Sequence, residues 1–340
     1  MTFMKLQLFN NIDNPIVHKA WLAMAAKAHP FLQYDYLSHI WKQVRYFSLY
    51  TPQLVCIVSD QGKILMILPL KWDRFKRNYK MLADIQGCGQ TDALFDPQLT
   101  EEERQACVAY FYANIHKKCR LNRLPESSLL LKATQGTHVD LQNRICVKID
   151  FPQGAEALLK GLSKSVRQNL RTAYNRMNRD NMAYKLQVYR GEEMTDEIWR
   201  EIMKVYLNRL FTKHKVKALN NPLYRHIHYW KYRHIKHDTK SLRQLPNSFH
   251  AILYGNEHIM GFLSGLTNHD GTEVVIPRLA IDSQFRFYSP GYILLAETLC
   301  WLDANTTCRS IDLSRGDEQY KTDLGGLPYY TAAIVYTPDK

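Results

Sequence analysis

The chain has 340 residues, of which 46% are hydrophobic and 12% aromatic; this is enough for one large or two ordinary domains and excludes a largely disordered protein. Its formal net charge of +13 favours an anionic partner: a nucleotide, a phosphorylated carrier, nucleic acid or a membrane surface. The 7 cysteines are scattered without a C-x-x-C pair, so the sequence predicts neither a zinc site nor a disulfide framework.

The N-terminal sequence, MTFMKLQLFNNIDNPIVHKAW, contains no apolar run of the length found in signal peptides. No window of the chain approaches the roughly 20 apolar residues that a membrane-spanning helix requires. We therefore expect a cytoplasmic protein without a membrane span.

Strand and helix patterns alternate through the first half. Apolar spacing predicts helices over 15–27 and 34–48, and residues 53–70 have the pattern of two strands joined by a Gln-Gly turn. A further helix is predicted at about 100–118, where Thr100 can cap the first turn and three glutamates follow it. The strands SSLLLKAT and RICVKIDF then close a first half that we place at residues 1–150.

The second half, residues 151–340, begins with helical and strand patterns in this order: helix 154–179, strand 184–190, helices 194–213 and 222–237. Two strand regions with tight turns, an apolar helix starting near Pro290, and the strands CRSIDLS and TAAIVYT follow. The hairpin that begins at Ile57 aligns without gaps with the one that begins at Ile252. Because similar helices precede both hairpins, we predict an α/β (α+β) fold made of two related halves.

The helix at 154–179 carries basic side chains outside an apolar stripe. Lys164, Arg167 and Arg171 are spaced i, i+3, i+7 and project from one side, where guanidinium groups can bind phosphate or carboxylate in bidentate fashion. A solvated charged face is the alternative. Only Asp180 interrupts the positive charges, whereas solvated faces usually mix signs, and this favours anion binding.

The segment 213–243 is rich in basic residues, histidines and aromatic residues. It contains no H-E-x-x-H motif, so we do not predict a metal site there. The aromatic residues fit one packed side of a helix with the basic residues outside. Contact with nucleic acid is the alternative interpretation.

The strand CRSIDLS runs directly into RGDEQYK. Ser310, Asp312 and Ser314 alternate with apolar residues and so share one face of a strand. Sites tend to form at the carboxyl ends of strands in α/β sheets, and this end is dense in acids, bases and tyrosine. A polar loop whose aspartate caps a helix is the alternative.

The sequence YSPG stands at the start of the apolar helix. Pro290 suits the first helical position, Ser289 suits the capping position, and Gly291 lets an anion approach the free N–H groups. A simple capped turn has the same pattern.

These motifs together resemble one family. The Tyr-Ser-Pro-Gly helix start and the Gly-Asp-Glu-x-Tyr-Lys sequence after a strand are similar to the C-terminal half of the CelD/BcsL-type acetyltransferases of the GNAT superfamily. The Ser-Lys-Ser-Val-Arg helix resembles the start of that family's domain, and the resemblance is strongest over 156–325. It implies two GNAT-like mixed-sheet units in tandem with flanking helices, related to Fem-type aminoacyltransferases: an N-terminal half (1–150) and a half with the donor site (151–340).

The resemblance also implies the site. The pyrophosphate of acetyl-CoA or another acyl-CoA would lie at the helix N-terminus formed by Tyr288, Ser289, Pro290 and Gly291, although this loop is shorter than that of single-domain GNAT proteins. The candidates for the base are Asp312, Asp317 and Glu318, and either Tyr320 or Tyr288 would protonate the departing thiolate. A backbone N–H near 279–281 would stabilise the oxyanion. The cations expected to bind an anionic substrate are Lys164, Arg167, Arg171, Arg278 and Lys321.

The sequence thus predicts an acyl-CoA-dependent N-acyltransferase that acts on an amine of a sugar, polysaccharide or cell-envelope precursor. Its partners would be acyl-CoA or an acyl carrier protein and an anionic or carrier-linked acceptor, with no metal and no specific nucleic acid. Two alternatives are an aminoacyl-tRNA-dependent transferase of the Fem type, with segment 213–243 on RNA, and a non-catalytic polyanion-binding protein.

Overall fold

The computed structural model describes residues 4–46, 49–84, 89–132, 137–213, 242–243 and 245–338. By its contacts the chain divides into two compact units, one of Met1–Ile145 with Tyr330–Lys340 and one of Cys146–Tyr329. The C-terminal residues thus belong with the first unit. The predicted functional division at residue 150 stays a prediction.

The described helices and strands occur in mixed order along the chain. The elements up to residue 150 are β1 (Met4–Phe9), α1 (Pro15–Ala25), α2 (Tyr34–Tyr46), β2 (Tyr50–Ser59), β3 (Ile64–Asp73), β4 (Asn78–Met81), β5 (Leu94–Phe95), α3 (Glu101–Asn114), β6 (Cys119–Leu124) and β7 (Thr137–Asp150). The later elements are α4 (Ala155–Gly161), α5 (Lys164–Arg179), β8 (Tyr184–Tyr189), α6 (Asp196–Lys213), β9 (Ser248–Gly255), β10 (His258–Thr267), β11 (Glu273–Ile281), α7 (Pro290–Asn305), β12 (Ser310–Arg315), α8 (Gln319–Asp323) and β13 (Leu327–Tyr336).

The first unit is built on strands in the order β1-β2-β3-β4-β6-β13, with β5 beside β3. Neighbours are antiparallel except β4 and β6, which run parallel. Helix α3 covers this sheet with Val108, Phe111 and Tyr112, which pack among buried strand residues. The hairpin predicted at 53–70 is the β2–β3 pair.

Helix α3 begins as the sequence predicts. The Thr100 hydroxyl accepts a hydrogen bond from the Glu103 N–H at 3.3 Å, and the Glu103 carboxylate accepts one from the Thr100 N–H at 2.9 Å. This capping box satisfies two N–H groups that a helix start leaves free. The helix ends at Asn114, four residues before the predicted end near 118.

The second unit is built on strands in the order β7-β12-β11-β10-β9-β8, in which only β11 and β12 are parallel. Helices α5 and α7 pack on one face with Ala173, Met177 and Leu299, among strand residues that include Leu253. Helix α6 packs on residues such as Ile252, which precedes Leu253 in β9 and so points to the opposite face. The sheet of this unit is therefore covered on both sides.

The helix predicted over 154–179 is two helices. Leu162 has extended backbone angles and ends α4, and the Ser163 hydroxyl accepts a hydrogen bond from the Val166 N–H at 3.3 Å to begin α5. A serine cap inside an apolar pattern is compatible with one helix or two, and here it starts a new one. The helix predicted at 222–237 lies outside the described residues.

Gly265 of β10 lies close to the backbone of β11. A Cβ atom at this position would lie 1.8 Å from the carbonyl oxygen of Val275. The register between β10 and β11 shifts here, because a single residue of β10 opposes both Ile276 and Pro277. The glycine therefore permits the close approach that places β11.

Replacing Gly265 with alanine is expected to lower the free energy of unfolding by roughly 2–4 kcal/mol, because β11 must move to admit the methyl group. Urea denaturation of the variant measures the change. Gly161→Ala is the matched control, since nothing lies within 4 Å of its Cβ position. Equal stability of the two variants would contradict the close approach.

Candidate functional site

The parallel strands β11 and β12 pair only at their beginnings. Their register joins Glu273 with Ser310, Val274 with Ile311 and Val275 with Asp312. The described register includes no pair between the remaining six residues of β11 and the last three of β12. Backbone groups at the carboxyl ends of these strands are thereby left to other partners or to a ligand.

Pro277 accounts for this early end of the ladder on the β11 side. Proline has no backbone N–H to donate, and it stands at the register shift between β10 and β11. Such a bulge turns a strand away from its neighbour. The backbone near 279–281, where an N–H is predicted to stabilise the oxyanion, lies beyond this proline.

Arg209 of α6 connects the two strand ends. Its guanidinium donates to the carbonyl oxygen of Leu279 and, at 2.7 Å, to the carboxylate of Glu318. Burial opposes ionisation of Glu318, but Lys321 and Arg209 outweigh it and hold the pKa of the carboxyl below its usual value. Glu318, a predicted base, is thus a paired carboxylate, and the sequence analysis did not identify Arg209.

Lys321 is buried within the loop after β12. Its ammonium donates to the carbonyl oxygens of Leu313, Arg315 and Gly316 at 3.0–3.2 Å and lies 3.0 Å from Glu318. Burial lowers its pKa, and Glu318 partly offsets that effect. Lys321 was predicted to bind a substrate phosphate, whereas its contacts here are those of a cation that stabilises the loop.

Asp312 is the predicted base with the most altered ionisation. It is 5% exposed, and its carboxylate accepts hydrogen bonds from the Tyr329 hydroxyl at 2.6 Å and the Ser314 N–H at 2.7 Å. Burial raises its pKa to about 6, although these two donors act in the opposite direction. A carboxylate with this pKa exchanges protons near neutral pH, as a general base must.

The other predicted catalytic residues differ in exposure. Asp317 is exposed, whereas Tyr320 is half-buried. The ring of Tyr320 lies 3.5 Å from the Cβ position of Gly291. Burial and the nearby Glu318 raise the pKa of Tyr320, so its phenol keeps its proton at neutral pH. The structure thus brings Tyr320 against the helix start that carries the YSPG sequence.

That helix start differs from the prediction in one respect. Helix α7 begins at Pro290 as predicted, but the Ser289 side chain makes no capping bond, so the predicted cap is wrong. The reason is that Ser289 has left-handed backbone angles rather than the extended angles of an N-cap residue. Its carbonyl oxygen accepts the Tyr292 N–H at 3.1 Å, which leaves the Gly291 N–H as the principal donor for an anion.

Two basic residues of α5 lie near this helix start, and neither is among the cations predicted to bind an anionic substrate. The Arg176 guanidinium donates to the Phe287 carbonyl at 2.8 Å, and Arg179 lies over the Phe287 ring. Asp180, which pairs with Arg179, accepts the Tyr288 hydroxyl at 3.1 Å.

The predicted cations Lys164, Arg167 and Arg171 are exposed on the earlier turns of α5. Helical rise places Arg167 roughly 13 Å along the axis from Arg176. The guanidinium of Arg167 instead donates to the Lys160 carbonyl at 2.6 Å. Among the described residues, none of these three side chains makes a hydrogen bond or ion pair with the start of α7.

Arg278 belongs to a buried polar row across three strands. The register pairs His250 with Ser264 and Ser264 with Arg278. The His250 imidazole contacts the Ser264 hydroxyl at 3.0 Å, and Arg278 donates to the Tyr206 hydroxyl at 2.7 Å. Arg278, predicted to bind substrate, is 1% exposed; the sequence analysis missed His250, which no motif distinguishes from the other histidines.

Among the described residues, no group of three or more His, Cys, Asp or Glu side chains could bind a metal ion. Most of the basic segment considered for nucleic-acid contact, residues 214–241, lies outside the described residues. No helix in the described ranges combines the length and apolar character that crossing a membrane requires.

Lys321→Ala is expected to lower the free energy of unfolding by about 3 kcal/mol, because three carbonyl groups and a half-buried carboxylate lose their cation. Chemical denaturation measures the loss. Lys160→Ala serves as the control, since that lysine is 75% exposed in a surface pair and its removal is expected to leave stability unchanged. A Lys321 variant as stable as the control would show that the loop does not depend on this cation.

Comparison with known proteins relates this geometry to a family. Residues 164–322 match a family model described as an acetyltransferase (GNAT) domain. No curated protein matches the chain. A tandem GNAT protein from the clavulanic acid biosynthesis pathway has a similar structure, with a TM-score of 0.53 and 10% identity over 99% of this chain and 100% of that one.

Two further solved structures are similar. FemX gives a TM-score of 0.54 at 9% identity, with 97% of each chain covered. L-PGS from Bacillus licheniformis gives 0.51 at 11% identity, with 92% of this chain and 93% of that one covered. At such identities the likeness shows the fold alone. The chain thus has a mixed α/β fold of the tandem GNAT kind, and its residues 164–322 are similar to a GNAT-type acetyltransferase domain.

Proposed function

We propose that this protein is an acyl-CoA-dependent N-acyltransferase whose general base is Asp312. The observation that carries the proposal is a buried carboxylate with a pKa of about 6 at the last paired position of two parallel strands, within the region that matches a GNAT-type domain. Bound acyl-CoA supplies the activated thioester. The protein's own residues then have to bind the donor, take a proton from the amine and return one to the thiolate.

The donor's pyrophosphate is assigned to the start of α7. The N-terminal end of a helix attracts anions, and Gly291 allows a close approach there. The loop has few free N–H groups, so further positive charge is needed. Arg176 and Arg179, which contact Phe287 just before this helix, provide it. Lys164, Arg167 and Arg171 keep the role predicted for them, that of binding an anionic acceptor.

Proton transfer is assigned to two residues. As the amine nitrogen bonds to the acyl carbon, its proton passes to the Asp312 carboxylate, and as the carbon–sulfur bond breaks, the thiolate takes the proton of the Tyr320 hydroxyl. The raised pKa of Tyr320 keeps that hydroxyl protonated until it is needed. Glu318 and Lys321 support the loop instead, and Asp317, being exposed, has no assigned step.

The acceptor is proposed to be an amine of a sugar, polysaccharide or cell-envelope precursor, reached in the cytoplasm. The net charge of +13 suits a phosphate-bearing or carrier-linked acceptor and also an acidic acyl carrier protein. The tighter CelD/BcsL-type assignment rests on the two sequence motifs around Gly291 and Tyr320, which are in contact in the structure.

Asp312→Asn is expected to lower kcat/KM for acetyl transfer by about 10²–10⁴, the usual contribution of a general base. The wild-type rate should rise with pH through about 6 and then level, because the base acts only when deprotonated. Steady-state kinetics from pH 5 to about 8 measure both effects, and the variant should lack the rise. Asp317→Asn is the control; if it alone removed the rise, the assignment to Asp312 would be wrong.

Gly291→Glu is expected to weaken acetyl-CoA binding at least about tenfold, because it places a negative charge where the pyrophosphate lies. Calorimetric titration with acetyl-CoA measures the dissociation constant. Gly291→Ala is the matched control, since a methyl group would make only ordinary contact with the Tyr320 ring at 3.5 Å. Undiminished affinity in Gly291→Glu would exclude this donor site.

The same titration separates the proposal from aminoacyl transfer. Tight binding of acetyl-CoA and weak binding of aminoacyl-tRNA are expected. Tighter binding of aminoacyl-tRNA would instead identify aminoacyl-tRNA as the donor. Failure to bind either would favour a polyanion-binding protein that retains the fold.

A further inference from the structure

Ser314 is a buried serine whose hydroxyl has no hydrogen-bond partner among the described residues. The residue is 4% exposed. Other buried serines nearby are satisfied: Ser310 donates to Glu273 at 3.4 Å, and Ser264 contacts His250 at 3.0 Å. A lone unsatisfied hydroxyl in a strand end calls for an explanation.

The backbone of Ser314 is also unusual. Its φ of 50° lies in the left-handed region, which few residues other than glycine adopt, and the register of β12 shifts between Asp312 and Arg315. This conformation lets the Ser314 N–H donate to the Asp312 carboxylate at 2.7 Å. Backbone strain of this kind clusters at functional sites.

The hydroxyl and the carboxylate are close neighbours. Covalent geometry keeps the Ser314 Oγ within about 4 Å of its own backbone nitrogen, and that nitrogen is in contact with Asp312. A substrate group that lies between the two can contact both. A hydroxyl that no protein group engages is available for such a group.

We propose that the Ser314 hydroxyl oxygen accepts a hydrogen bond from the amine of the acceptor while Asp312 takes that amine's other proton. This inference rests on the proposed function. A neutral primary amine carries two N–H groups: one proton passes to Asp312 as the carbon–nitrogen bond forms, and the second N–H stays on Ser314 Oγ. The lone pair is then aimed at the acyl carbon as the carbon–sulfur bond breaks.

The arrangement suits a primary amine. Its two N–H groups donate to the carboxylate and to the serine hydroxyl at once, whereas an alcohol donates its single O–H to the carboxylate and accepts from the serine hydroxyl.

The test compares Ser314→Ala with Ser310→Ala, using acetyl-CoA and glucosamine as the probe amine. In Ser314→Ala, kcat/KM for glucosamine is expected to fall about 10- to 100-fold while the dissociation constant for acetyl-CoA is unchanged. Ser310→Ala, whose hydroxyl has a protein partner, is expected to stay within about threefold of the wild type. A Ser314 variant within that range would overturn the proposal.

Thermal unfolding supplies a second measurement that needs no acceptor. If the hydroxyl is reserved for substrate, Ser314→Ala unfolds at the wild-type temperature or above it, and Ser314→Gly unfolds higher still because glycine adopts the left-handed conformation without strain. A lower unfolding temperature for Ser314→Ala would reveal a structural partner and refute the inference. If the wild type does not acetylate glucosamine, that probe fails for the proposed function, and the thermal result still decides the state of the hydroxyl.

Discussion

The early end of the ladder between β11 and β12 determines most of what is distinctive in the second unit. Two parallel strands that pair at only three positions leave carbonyl and N–H groups at their carboxyl ends without the usual partners. Arg209 takes up one such carbonyl on β11, and Lys321 takes up three on β12 and the loop behind it. Glu318 joins the two cations, so a missing strand pairing is replaced by a small ionic network.

The same constraint explains why Asp312 and Ser314 have their properties. Asp312 stands at the last paired position, where burial is complete but the next residues no longer follow the ladder. The chain turns there through a left-handed serine, and the N–H exposed by that turn is directed to the carboxylate. An altered pKa, a strained residue and an unpaired hydroxyl thus have one origin.

The sequence predicts the elements but not these contacts. The Thr100–Glu103 spacing is a local pattern and gave the start of α3 correctly, and Pro290 gave the start of α7. The fold class followed from the alternation of helices and strands. In contrast, the partners of Lys321 are carbonyl groups, which no side-chain pattern reveals, and Arg209 meets Glu318 across 109 positions of sequence. The break at Ser163 and the left-handed Ser289 depend on packing that a single sequence does not express.

The pKa values of two buried groups of the second unit are shifted in opposite directions. Burial lowers the pKa of His250 from 6.5 to about 3, and burial raises that of Asp312 from 3.8 to about 6. Between pH 6 and 4 the unfolded chain holds about one more proton than the folded unit at His250, so acidification destabilises the fold through this residue. At Asp312 the unfolded chain holds about one proton fewer, so acidification stabilises the fold there by a similar amount. As far as these two residues are concerned, the two effects largely offset each other, so that mild acid changes the stability of the unit little through them.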